Sequence, residues 1–117
     1  MGKTIIAGGR DFCDYDFLKE SLNDLKISIT EIVSGKAKGV DALGEQYAKE
    51  HGIEVKEFPA DWKKIGRGAG PIRNEEMAVY ADTLVAYWDG KSKGTKSMIT
   101  LAKKHGLKVH VIPIFNS

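Results

Sequence analysis

One cysteine and three prolines stand among the 117 residues, and neither sign of charge dominates. The lone Cys13 has no partner for an internal disulfide and no neighbour at metal-ligand spacing. That usage points to a reducing, cytoplasmic setting. His51, His105 and His110 are scattered, so no metal site is expected. No apolar run approaches the roughly twenty residues that cross a bilayer. Met1-Gly2-Lys3 leads straight into a strand-like segment, so neither a signal peptide nor a membrane partner is expected. Eighteen Lys and Arg against sixteen Asp and Glu leave a formal charge of +2, which does not mark a nucleic-acid binder. With no repeat, linker or low-complexity tract, residues 1–117 are expected to form a single domain.

What is there is a regular alternation. Lys3 to Ala7 reads as a buried strand closed by Gly8-Gly9. Asp14 is placed to cap a helix to about Leu25, with Leu18, Leu22 and Leu25 on one face. Ile29 to Val33 is a second strand. A helix over Gly39 to His51 follows, stopped by Gly52. Ile53 to Phe58 alternates as a third strand, and a Gly- and Lys-rich loop runs from Pro59 to Gly70. Pro71 opens a helix to about Ala81. Thr83 to Trp88 is a continuous apolar strand, Thr95 to His105 a helix, and Leu107 to Ile112 the last strand.

The order βαβαβαβαβ implies an α/β fold, a Rossmann-like three-layer αβα domain with a five-stranded, mainly parallel sheet. The first and fourth strands are apolar throughout, as when both faces are buried. The third and fifth alternate, which suits edges and the strand order 3-2-1-4-5.

In such a sheet, ligands bind outside the carboxyl ends of the strands, where the crossovers diverge. Three loops reach that rim: Gly8-Gly9-Arg10-Asp11, the segment Ser34 to Asp41, and Asp89 to Thr95. Two of them are glycine-rich and open into helices, whose N-termini present unpaired N–H groups and partial positive charge. Ten of the eighteen basic residues fall in segments expected at this rim: Arg10, Lys36, Lys38, Lys63, Lys64, Arg67, Arg73, Lys91, Lys93 and Lys96. A locally positive rim on a near-neutral protein suits a small anion. Each loop also has a purely structural reading, as a tight turn or a solvated lysine tip.

Several known sites are excluded by spacing. Gly90 to Lys96 is not a Walker A loop, and Gly8-Gly9-Arg10 is not a G-x-G-x-x-G fingerprint. No Ser-His-Asp arrangement is evident. His51 and His105 each precede a helix-ending glycine, where they complement a helix C-terminus. Trp62 and Trp88 read as packing residues, although Trp88 ends the fourth strand within reach of a base.

Five motifs in order, Gly8-Gly9-Arg10-Asp11-Phe12, Ser34 to Asp41, Pro59-Ala60-Asp61-Trp62, Gly70-Pro71-Ile72-Arg73-Asn74 and Trp88 to Thr95, resemble the YspA, YpsA-related branch of the SLOG superfamily. That superfamily also holds a DNA-processing fold and the LOG cytokinin-activating enzymes. The resemblance implies a Rossmann-like domain, found in bacteria and phages, that binds a nucleotide or nucleotide-derived ligand. LOG enzymes cleave nucleoside monophosphates with a P-G-G-x-G-T-x-x-E motif and an arginine in an R-K-x-x-M segment. Arg73-Asn74-Glu75-Glu76-Met77 matches the arginine segment in form. Gly94-Thr95-Lys96-Ser97-Met98 puts methionine where the glutamate belongs, and a thioether neither stabilises an oxocarbenium-like centre nor acts as a base.

The expected function is therefore a binder that senses or sequesters a nucleotide or nucleotide-derived small molecule, with no catalytic residue, cofactor or metal. Gly39 and the Gly94-Thr95 turn are assigned to phosphate oxygens, and Arg10 and Arg73 to fork-like phosphate contacts. Asp41 either hydrogen-bonds a ribose hydroxyl or stabilises a helix N-terminus. Asn74 reads a base or braces the long loop, and Asp89 ion-pairs with Lys91 and Lys93. Gly8, Gly9, Asp11, Ser34, Gly35, Lys36, Trp88 and Ser92 complete the ligand-binding set. The alternative is a nucleotide N-glycosidase or phosphohydrolase using Asp11, Asp41 or Glu75. Single-stranded DNA binding ranks third, and nucleic acid is not the expected partner. Self-association is expected, with Ile112-Pro113-Ile114-Phe115 offered either to a second copy or to the chain's own core.

Overall fold

The two uninterrupted apolar runs become central strands because helices cover both of their faces. A computed structural model describes residues 2–114. The elements run β1 (Lys3–Gly8), α1 (Tyr15–Leu25), β2 (Glu31–Ser34), α2 (Val40–His51), β3 (Glu54–Glu57), α3 (Trp62–Ile65), a 3-10 turn (Gly66–Gly68), α4 (Ala69–Tyr80), β4 (Thr83–Trp88), α5 (Lys93–Lys104) and β5 (Lys108–Pro113). All four strand pairings are parallel, in the order β3-β2-β1-β4-β5. The Rossmann-like sheet and its strand order are as the periodicity predicts.

Alternation along the central strands divides the core in two. Ile5, Ala7, Leu84 and Ala86 pack with Met77, Ala78, Met98 and Ala102 beneath α4 and α5. Ile6, Val85 and Tyr87 face the other way, onto Leu18, Leu22, Val40 and Ala48 of α1 and α2. Successive side chains of a strand point to opposite faces, so a strand covered twice reads as one apolar run. On edge strand β3, only Val55 of the four residues is half-buried.

Element boundaries differ from the sequence reading where backbone partners decide them. Asp14 caps α1 as expected, its carboxylate accepting the Phe17 N–H at 3.1 Å. The long loop after β3 is not structureless, because Asp61 accepts the Lys64 N–H at 3.1 Å and starts the single turn α3. The next helix begins at Ala69 rather than Pro71, leaving Pro71 in its first turn, where a missing N–H loses no bond. At the other end of the chain, Ile114 is buried in the α1–α2 core and donates its N–H to the Trp88 carbonyl at 3.0 Å. It thus packs on its own chain, while Phe115 lies outside the described residues. Among the described residues, no helix is long and apolar enough to cross a membrane.

Candidate functional site

Strands β1 and β4 lie side by side, but the connections leaving them diverge: α1 packs on one face and α5 on the other. The gap at their carboxyl ends is a crevice of about 660 Å³. Ala7, Gly8 and Arg10 line it from β1, and Gly35 to Lys38 with Asp41 from the β2–α2 connection. Pro59, Ala60 and Trp62 form one lip, and Gly70, Pro71, Arg73, Asn74 and Met77 enter from α4. Ser92, Lys93, Gly94, Thr95, Ser97 and Met98 come from the start of α5. All three rim loops of the sequence reading therefore meet at one place.

The charge there is one-sided. Arg10, Lys36, Lys38, Arg73 and Lys93 face a single carboxylate among the described lining residues, Asp41. Lys36 is tied outward to Glu45 at 3.1 Å and Glu57 at 3.2 Å. No ion pair or side-chain hydrogen bond among the described residues engages Arg10, Lys38 or Lys93.

Arg73 is the most constrained of these cations. Its guanidinium donates to the Gly35 carbonyl, and its Nε donates to Asn74 Oδ1 at 3.0 Å. Asn74, itself buried, turns its amide toward the Gly94 carbonyl at 3.5 Å. It thus links α4 to the first turn of α5. Partial burial pulls the Arg73 group below its ordinary pKa, opposed by Asp41 and reinforced by Arg10. A side chain added at Gly35 would run into both Arg73 and Asp41, so bare backbone lets the two charged groups meet there. Asp41 is 7% exposed, and its Oδ2 accepts the Ala37 N–H at 3.2 Å. Burial pushes its pKa up to about 6, against the lowering effect of the Ala37 N–H and Arg73. Asp41 thereby braces the loop that leads into α2.

Ten of the predicted residues line the crevice: Gly8, Arg10, Gly35, Lys36, Asp41, Arg73, Asn74, Ser92, Gly94 and Thr95. Seven do not, and most of these are engaged in building it. The Gly9 carbonyl accepts the Val40 N–H at 3.1 Å, so the first amide of α2 is bonded within the chain. Gly39 is required by that contact. Its φ is +75°, and a Cβ there would lie 2.2 Å from the Gly9 carbonyl oxygen. Buried Ser34 donates to Glu45 at 2.6 Å and accepts the Lys36 N–H. Trp88, half-buried, donates its indole N–H to the Ser92 carbonyl at 3.0 Å and packs on the core. Asp89 accepts the N–H groups of Lys91 and Ser92, both at 2.8 Å, which hold its carboxyl below the usual range. Asp89 thus shapes the turn before α5, and the Lys91 charge adds to the same lowering. Asp11 and Lys91 are exposed outside the crevice.

Three contributors went unrecognised as site residues in the sequence. Lys38 and Lys93 counted only as rim charge, and Trp62 only as packing. The signal for Trp62 was its neighbour Asp61, a helix-capping residue in a stretch assigned to loop. Met98, at the glutamate position of the LOG motif, is 1% exposed and forms part of the crevice floor. Glu75 faces a separate, more open groove between α4 and α5, where it meets His105 at 3.1 Å. Among the described residues no three His, Cys, Asp or Glu side chains gather as a metal site would require.

Comparison with known proteins agrees with the architecture. Residues 3–65 match the model of the YspA, cpYpsA-related SLOG family. The Gene 61 protein of Mycobacterium phage D29 is 31% identical over 93% of this chain and 94% of its own length. The X-ray structure of DNA processing protein A (DprA) from Streptococcus pneumoniae superposes with a TM-score of 0.79 at 19% identity. That match covers 97% of this chain but 51% of DprA, so the chain spans about half that protein's length. At this identity the likeness is one of fold. A neighbour named for DNA processing lends no support to the expectation that nucleic acid is not a partner.

Proposed function

Since the chain belongs to the YspA, cpYpsA-related SLOG family, we propose that its crevice binds a nucleotide or nucleotide-derived anion, which the protein senses or sequesters without turning it over. The observation that carries this reading is Arg73, fixed by Gly35 and Asn74 beside the first turn of α5. A pre-oriented guanidinium next to helix N-terminal amides is suited to a phosphoryl group, because neither must reorganise to meet it. The uncommitted cations Arg10, Lys38 and Lys93 add attraction at the lip. Open space above Gly94 leaves the backbone approachable.

Isothermal titration against mono-, di- and cyclic nucleotides tests the reading. Binding by the wild-type chain, weakened about tenfold or more in Arg73→Ala, is the expected result, since charged hydrogen bonds of this kind contribute roughly 1.5–3 kcal/mol. No heat with any nucleotide overturns it. Self-association and a cytoplasmic setting belong to the same reading, and light scattering at several concentrations tests the first of them.

One observation favours an enzymatic alternative. Of Asp11, Asp41 and Glu75, only Asp41 lines the crevice, and its pKa of about 6 suits a group that exchanges protons near neutrality. Release of free base or ribose phosphate from a nucleoside monophosphate, abolished in Asp41→Asn, would establish that role.

A further inference from the structure

Trp62 is 57% exposed, and it presents a large, rigid aromatic surface to water at the lip of the crevice. It is the one aromatic side chain among the described residues lining the crevice. Its position is prepared from both sides. Asp61 caps the single turn on which Trp62 sits. The six-membered edge of the indole lies over Gly70, in the first turn of α4, where a Cβ would come within 3.1 Å of Trp62 Cη2. Gly70 therefore provides the seat on which the ring rests. More than half of the residue stays exposed, at a lip of the crevice that Arg73 and the start of α5 also line.

We propose that Trp62 is the platform on which the planar base of the ligand stacks, so that the crevice selects base-bearing phosphates over bare sugar phosphates. This rests on the phosphate-binding reading given above and adds the second half of the ligand to it. The cationic wall holds a phosphoryl group whatever it is attached to. An indole face instead rewards a flat π-system, and tolerates different bases because each presents one. Trp88, the other tryptophan, is spoken for by Ser92 and the core. Ile65 and Ile72, 44% and 48% exposed, are not among the crevice-lining residues.

Calorimetric titration of the full chain with adenosine 5′-monophosphate, uridine 5′-monophosphate and ribose 5-phosphate separates the two layers of the argument. In the wild-type chain both nucleotides bind tighter than ribose 5-phosphate. Trp62→Ala weakens the nucleotides by at least about fivefold, the low end of base–aromatic stacking, and leaves ribose 5-phosphate within about twofold. Trp62→Phe, which keeps a ring, recovers most of the nucleotide affinity. Equal weakening of all three ligands in Trp62→Ala, or none, overturns the stacking role while the phosphate site stands. Failure of all three to bind the wild-type chain overturns the phosphate site and this inference with it.

Discussion

Asp41 carries the least comfortable charge in the molecule. Its carboxyl ionises at about 6 in the folded chain against an ordinary 3.8, because burial removes more hydration than the Ala37 N–H and Arg73 restore. Between those two pH values the native state keeps a proton that the unfolded chain has already released. Stability from this group is therefore greatest below about pH 4, declines as pH rises, and has fallen by on the order of 3 kcal/mol above pH 6. Asp41→Asn retains an oxygen for Ala37 and removes the ionisation. The stability of the variant relative to wild type should climb between pH 4 and 6.5, measured by urea unfolding at half-unit steps. A gap that stays constant across that range would place the carboxyl at its ordinary value. None of this was legible beforehand: a carboxylate one residue past the start of a helix reads equally as dipole partner or ligand contact. The burial that raises its pKa depends on contacts between elements, which a helix pattern does not carry.

Helices and strands were legible in proportion to how much of their pattern is local. The apolar run Thr83 to Trp88 has the same ends in sequence and structure, since both faces of β4 are buried from Leu84 to Tyr87. Edges were placed correctly because Val55 and Val109 alternate with charged or polar neighbours. Missed were the features set by contacts across elements, such as the turn α3 and the plugging of the α2 N-terminus by Gly9. A sharp prediction follows for that last junction. Gly39→Ala adds a methyl that collides with the Gly9 carbonyl at a backbone angle already unfavourable for alanine, and should destabilise by more than about 2 kcal/mol. Gly90, with a similar φ of +83° but nothing within 4 Å of an added Cβ, has only the backbone penalty. Gly90→Ala should therefore lose about 1 kcal/mol, and the two thermal melts run side by side check the difference. Equal losses would mean that the β1–α2 contact contributes nothing beyond conformational preference.

At the scale of the whole molecule, the question is whether the positive rim is built for one phosphate group or for a polyanion. Formal charge is only +2 overall, and the cations facing the crevice converge on a single cavity. A strand of nucleic acid bound through many phosphates releases many counterions, so its affinity falls by a thousandfold or more between about 50 and 200 mM salt when six or more contacts are made. A lone nucleotide in a partly enclosed site feels mainly screening over a Debye length of about 10 Å. Affinity for adenosine 5′-monophosphate should thus fall by less than about tenfold over that range. An oligothymidylate of twenty residues should bind no more tightly than the mononucleotide and show an equally shallow dependence. Fluorescence anisotropy of the labelled oligonucleotide at four salt concentrations reads this directly. A steep log–log slope, several units below zero, would move the function toward single-stranded nucleic acid and make the crevice one contact point on a longer path, with Lys63, Lys64 and Arg67 beside Trp62 as the first residues to test along it.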